Sequence, residues 1–151
     1  MQRILFAALS SALISSTAFA SEVAPNNVIF GEDGQVELSL TGVVGDADAG
    51  KEAFVGRKLG NCLACHVNDD ASNLSFHGEV GPSLNGVADR WDATQLRGIL
   101  VNSKMTFEDT IMPAFYGEDG TRILKKFVGT TILSAQQVED VVAYLQTLKE
   151  E

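Results

Sequence analysis

The chain has 151 residues, with 11 Lys and Arg against 20 Asp and Glu, a net charge of −9. That length predicts one domain of ordinary size, and the acidic balance excludes a nucleic-acid binder working through a basic face. A hydrophobic content of 45% argues against disorder, and two cysteines cannot make a disulfide-rich scaffold.

Residues 1–20 have the layout of a secretory signal peptide. Arg3 is the positive end, Ile4 to Ile14 is apolar apart from Ser10 and Ser11, and Ala18-Phe19-Ala20 is a small-x-small cleavage site. The apolar run is shorter than the ~20 residues of a membrane span. The expectation is removal after Ala20 and export to a bacterial periplasm. No later segment is apolar enough to cross a bilayer.

Residues 21–45 lack helical period. Val36, Leu38 and Leu40 alternate with Glu37, Ser39 and Thr41. This predicts a short extended or strand-like N-terminal extension with one apolar side, a candidate contact for a partner; a loose tail is the alternative. Asp46 or Asp48 then caps a first helix through Ala49, Ala53 and Phe54, continued by Arg57-Lys58 and stopped by Gly60. Residues 67–90 are polar and rich in glycine, a long loop with at most one short helical turn. A loop of this length needs a reason, such as wrapping a ligand.

Asp92 caps the next helix, with Gln95 as its box partner and Leu96, Ile99 and Leu100 as its stripe, fading at Asn102-Ser103. Residues 104–130 are mixed, and Asp69-Asp70 reads as solvated surface. The clearest helix is the last. Ser134 and Gln137 form a capping box, and Val138, Val141, Val142, Leu145 and Leu148 keep helical spacing. The sum is an all-α domain over residues 46–151 whose connections are too long for a simple bundle.

Both cysteines lie in Cys62-Leu63-Ala64-Cys65-His66, the C-x-x-C-H attachment pattern for haem c. Two thiols at this spacing add to the two vinyl groups of one haem, and the adjacent His66 offers an imidazole nitrogen to the iron. A Cys62–Cys65 disulfide, a thioredoxin-like pair and a zinc site with His77 are the competing readings. The helical pattern ahead of Cys62 disfavours the redox pair, and the missing second ligand pair disfavours zinc. For the sixth iron ligand the candidates are Met112, Met105 and His77. Met112 precedes Pro113 on a fixed, non-helical turn; Met105 has the position of a core filler at a helix end. His77 follows His66 too closely to cross easily to the other haem face. The carbonyl of Pro82, after Gly81, is placed to take the Nδ1 proton of His66, though Gly81-Pro82 is also a plain turn sequence.

These residues resemble class I c-type cytochromes. The strings that carry the resemblance are Gly50-Lys51-Glu52-Ala53-Phe54, the C-x-x-C-H segment, Gly81-Pro82-Ser83-Leu84 and Val138 to Leu145. It implies a cytochrome c fold wrapped around one covalent haem, its first and last helices crossing where Gly50 and Phe54 meet Tyr144. A narrower resemblance is to the SoxX family, the monohaem subunits of SoxAX complexes in sulfur-oxidising bacteria. It rests on Phe76 to Pro82, Val101-Asn102-Ser103-Lys104, Thr110 to Tyr116, and Thr131 to Gln136. It implies Met112 as the distal ligand opposite His66, and a SoxA-like partner carrying one or two haems. It also implies oxidative coupling of thiosulfate to a cysteine of the SoxYZ carrier, with the bond-forming site on SoxA. This chain would then pass electrons onward to a downstream acceptor and hold no catalytic residue itself. A free-standing electron shuttle and a haem enzyme with an open sixth position are the alternatives.

Overall fold

The structure, a computed structural model, describes residues 21–117 and 125–150; the expected signal peptide lies outside the described residues. Among the described residues four α-helices carry the fold: α1 Ala47–Val55, α2 Val87–Arg90, α3 Ala93–Asn102 and α4 Ala135–Leu145. Short 3-10 turns punctuate the connections. Among the described residues there is no strand.

Each longer helix starts where a side chain satisfies its free N–H groups. Asp46 accepts from the N–H of Asp48 and Ala49, and Asp92 with Gln95 and Ser134 with Gln137 form reciprocal capping boxes. α1 ends a turn earlier than the sequence suggests. Gly56 takes its C-terminal cap, and residues 57–60 fold back until the N–H of Gly60 reaches the Ala53 carbonyl at 3.0 Å. A Cβ on Gly60 would lie 2.9 Å from that oxygen, so the turn needs glycine.

α1 rests directly on α4. A Cβ on Gly50 would overlap the Asp140 carbonyl oxygen and come within 2.9 Å of the Tyr144 Cβ. The rings of Phe54 and Tyr144 meet edge to face, with centroids 5.3 Å apart. This is the helix crossing that the cytochrome resemblance implies.

The N-terminal extension differs from a half-buried strand. Val36 and Leu40 are 2% and 1% exposed and join the core, whereas Leu38 between them is 74% exposed. The burial spacing is four residues, not two, because the chain bends at Leu38 and again at Leu40, where Ser39 Oγ accepts the N–H of Gly42 at 3.0 Å. Nor is it a loose tail. The N–H of Val36 donates to the Thr94 carbonyl at 3.0 Å, and the N–H of Leu40 donates to Glu139 Oε1 at 2.8 Å. Glu139 also takes Arg97 through both carboxylate oxygens, at 2.9 and 3.0 Å, while Arg97 Nη1 donates to the Val36 carbonyl at 2.9 Å. One buried ion pair thus ties α3, α4 and the extension together. Low dielectric strengthens the pair, and the backbone partners complete its hydrogen bonding.

Candidate haem site

After α1 the chain enters a 3-10 turn, Cys62–Ala64, through Asn61 in the left-handed region at φ 50°. The N–H groups of Cys65 and His66 both donate to the Cys62 carbonyl, at 3.1 and 3.0 Å, so C-x-x-C-H is one tight turn. The two cysteines are not joined in a disulfide. Before a haem is attached, burial pushes the Cys62 thiol up to about 12.

The loop from Gly78 to Leu84 runs alongside this turn. Gly78 N–H donates to the Leu63 carbonyl at 2.8 Å, Gly81 to Cys65 at 2.8 Å, and Leu84 to Val67 at 2.9 Å. A Cβ on Gly78 would collide with the Ala64 carbonyl, so only glycine allows this approach. Gly81 lies flat against the His66 ring: a Cβ there would sit 2.7 Å from Nδ1 and 2.9 Å from Nε2.

His66 Nδ1 is 2.7 Å from the Pro82 carbonyl oxygen. A carbonyl only accepts, so Nδ1 carries the proton and Nε2 keeps its lone pair. Nε2 has no protein partner among the described residues. The carbonyls beyond Pro82 are fixed in turn by Arg90, whose Nη1 donates to Asn85 at 2.7 Å and Nη2 to Ser83 at 2.8 Å. Arg90 was not among the residues the sequence singled out; its only sequence signal is a lone arginine at the end of a short helix.

The other candidates separate by environment. Met112 is half-buried against the core. Its carbonyl accepts from Ser103 Oγ at 2.9 Å and from Lys104 Nζ, and its N–H donates to Thr110 Oγ1 at 3.2 Å. Met105, expected as core filler, is instead 48% exposed, on the 3-10 turn that follows α3. His77, a sixth-ligand candidate in the sequence, is held within its loop. Its Nδ1 accepts the N–H of Asn68 at 3.3 Å, and Nε2 then donates to the Ala71 carbonyl at 3.1 Å. Both ring nitrogens are committed to holding the loop after His66. Asp70 is more than solvated surface too: Tyr144 donates to its Oδ2 at 2.7 Å and Lys51 pairs with it at 2.7 Å. Those partners hold its carboxyl below the usual range, Lys51 first and Tyr144 second.

Among the described residues no cluster of three or more His, Cys, Asp and Glu is arranged to hold a metal ion, and His77, the fourth ligand of the zinc reading, has both ring nitrogens hydrogen-bonded elsewhere. Two thiols and one free imidazole nitrogen on a single glycine-lined turn fit a covalently bound haem. The Cytochrome c family model matches residues 47–149. The chain belongs to the cytochrome c family. Its cofactor is one covalent haem c.

A chain of the crystal structure of SoxXA from P. pantotrophus is 48% identical, with a TM-score of 0.78, over 86% of this cytochrome and 100% of that chain. The SoxX resemblance read from the sequence agrees with this neighbour. The cytochrome c SorU from Sinorhizobium meliloti is 26% identical over 68% of this chain and 90% of its own, with a TM-score of 0.46. An uncharacterised lipoprotein of Aquifex aeolicus (strain VF5) is 30% identical over 90 residues, 60% of this cytochrome. The cytochrome spans only 37% of the length of that curated relative. Among the described residues no helix is long and apolar enough to cross a membrane.

Proposed function

We propose that this cytochrome is the electron-transfer subunit of an exported SoxAX-type complex, with His66 and Met112 as its iron ligands and a SoxA-like cytochrome as its partner. The observation that carries the reading is the reach of the SoxXA match. Residues 47–149 are about two thirds of the chain, so a match over 86% of it takes in sequence outside the cytochrome domain proper. A free-standing shuttle would need only that domain.

The haem supplies a one-electron ferric–ferrous couple. Cys62 and Cys65 hold it by thioether bonds, and the Pro82 carbonyl fixes the ring plane and tautomer of His66 and raises the basicity of Nε2. Gly81 lets the loop lie against that ring. With His66 and Met112 as its two iron ligands the haem would favour the ferrous state and would offer no position for substrate, which separates a carrier from a haem enzyme. Joining thiosulfate to the carrier thiol of SoxYZ releases two electrons and a proton; this subunit accepts electrons singly and passes them to a downstream acceptor. Residues 1–20 would act as the export signal that directs the chain to the periplasm, and would be cut off after Ala20.

The experiment is co-expression with the SoxA-like partner and with SoxYZ. The two cytochromes should purify together, and adding thiosulfate and SoxYZ should reduce the haem of this chain. Separate elution, with thiosulfate leaving this haem ferric, is the result that supports a free-standing shuttle instead.

A further inference from the structure

The Met112 segment is held from two directions. From the end of α3, Ser103 and Lys104 hold the Met112 carbonyl, and the N–H groups of Phe115 and Tyr116 donate to the carbonyls of Leu100 and Val101 at 3.0 and 3.3 Å. From the other direction comes the N-terminal extension. The Tyr116 hydroxyl, on a side chain 2% exposed, lies 2.8 Å from the Val23 carbonyl and 3.0 Å from Glu22 Oε1. Val23 is anchored in turn, its N–H donating to the Leu40 carbonyl at 2.8 Å, and the N–H of Leu40 ends on the buried Glu139. An unbroken run of hydrogen bonds therefore leads from the Arg97–Glu139 pair through residues 40, 23 and 116 to the chain four residues beyond Met112. Residues 22 and 23 lie outside the 47–149 span of the cytochrome family model, so this restraint is added to the cytochrome core.

We propose that Tyr116 is a positioning residue for the sixth iron ligand. Glu22 and Val23, at the start of the exported chain, hold its hydroxyl and so limit how often Met112 leaves the iron. The inference rests on the reading of Met112 as that ligand. A phenol has one proton, and the Val23 carbonyl and Glu22 carboxylate both accept from it. Replacing the hydroxyl by hydrogen removes that bond and leaves the ring in its packing. Loss of one hydrogen bond corresponds to a rise of about two- to tenfold in the open population.

Cyanide binds a six-coordinate iron only when the thioether is off, so its association rate reads that population. The test compares purified holoprotein as wild type, Tyr116→Phe, a chain whose exported part begins at Asn26, and Met112→Ala. Tyr116→Phe and the shortened chain should keep the ferric sulfur-to-iron charge-transfer band and bind cyanide about two- to tenfold faster than wild type. Combining the two changes should add nothing further. Wild-type cyanide rates in both, with fast binding in Met112→Ala, would overturn the strap and leave Met112 as the ligand. A lower melting temperature with an unchanged cyanide rate also counts against it, since a purely structural contact does that. If Met112→Ala keeps the charge-transfer band, the ligand assignment itself is wrong and the proposal goes with it.

Discussion

Gly81 is the most exacting position in the haem site, and Gly81→Ala tests the His66 geometry. A Cβ there would stand 2.7 Å from Nδ1 and 2.9 Å from Nε2, where ordinary contact begins near 3.4 Å. The ring's Cε1 is closer still and would overlap it, so ring and loop must separate by roughly 1 Å, and overpacking of that kind costs about 1–3 kcal/mol. The Nδ1 to Pro82 bond starts at 2.7 Å, so a shift of the same size along it goes beyond hydrogen-bonding distance. Its loss adds about 1 kcal/mol. The expected destabilisation is therefore about 2–4 kcal/mol, measured by guanidinium unfolding of the holoprotein. Weakening this bond also makes Nε2 a poorer donor, which favours ferrous iron. The potential should rise, by at most about 60 mV, the one-electron equivalent of 1.4 kcal/mol. Pro82→Ala is the matched control, because it keeps the backbone carbonyl; its potential should stay near that of wild type. A Gly81→Ala protein within about 0.5 kcal/mol of wild type, with an unshifted potential, would refute the tight-cradle account.

Two further predictions concern the restraints around the site. Glu139→Ala strands a buried guanidinium and the Leu40 N–H, and should cost about 3–5 kcal/mol in denaturant unfolding; a loss under about 1 kcal/mol would show that the ion pair does not anchor the extension. Asp70 has a carboxyl held below its ordinary 3.8, so its contribution is present above that value and lost as pH falls through the lower folded-state value. The stability gap between wild type and Asp70→Asn should therefore be constant from pH 5 to 7 and close below pH 3.8, and it should be about 1 kcal/mol or less because the Lys51 pair is solvent-screened; a gap that widens toward acid pH would reverse the assigned sign.

The sequence by itself determined the parts of this protein that depend on neighbours along the chain. The caps at Asp46, Asp92 and Ser134 form as read, because a cap is satisfied by N–H groups two or three residues away. The haem attachment pattern was legible for the same reason: two thiols and an imidazole within five residues have to share one turn. Tertiary structure decided what depends on segments far apart. Arg97 joins α4 to the extension across 42 and 61 residues, and a charged residue on an apolar stripe gives no sign of that partner. His77 reads as a spare ligand until the fold brings Asn68 and Ala71 to its two nitrogens. Leu38 looks equivalent to Val36 and Leu40 until the bend at its own position turns it outward, because period-two burial holds only while a strand has a sheet to pair with, and here none forms among the described residues. Tyr116 carries no visible role in its own string of sequence; it acquires one only where residues 22 and 23 fold back onto it.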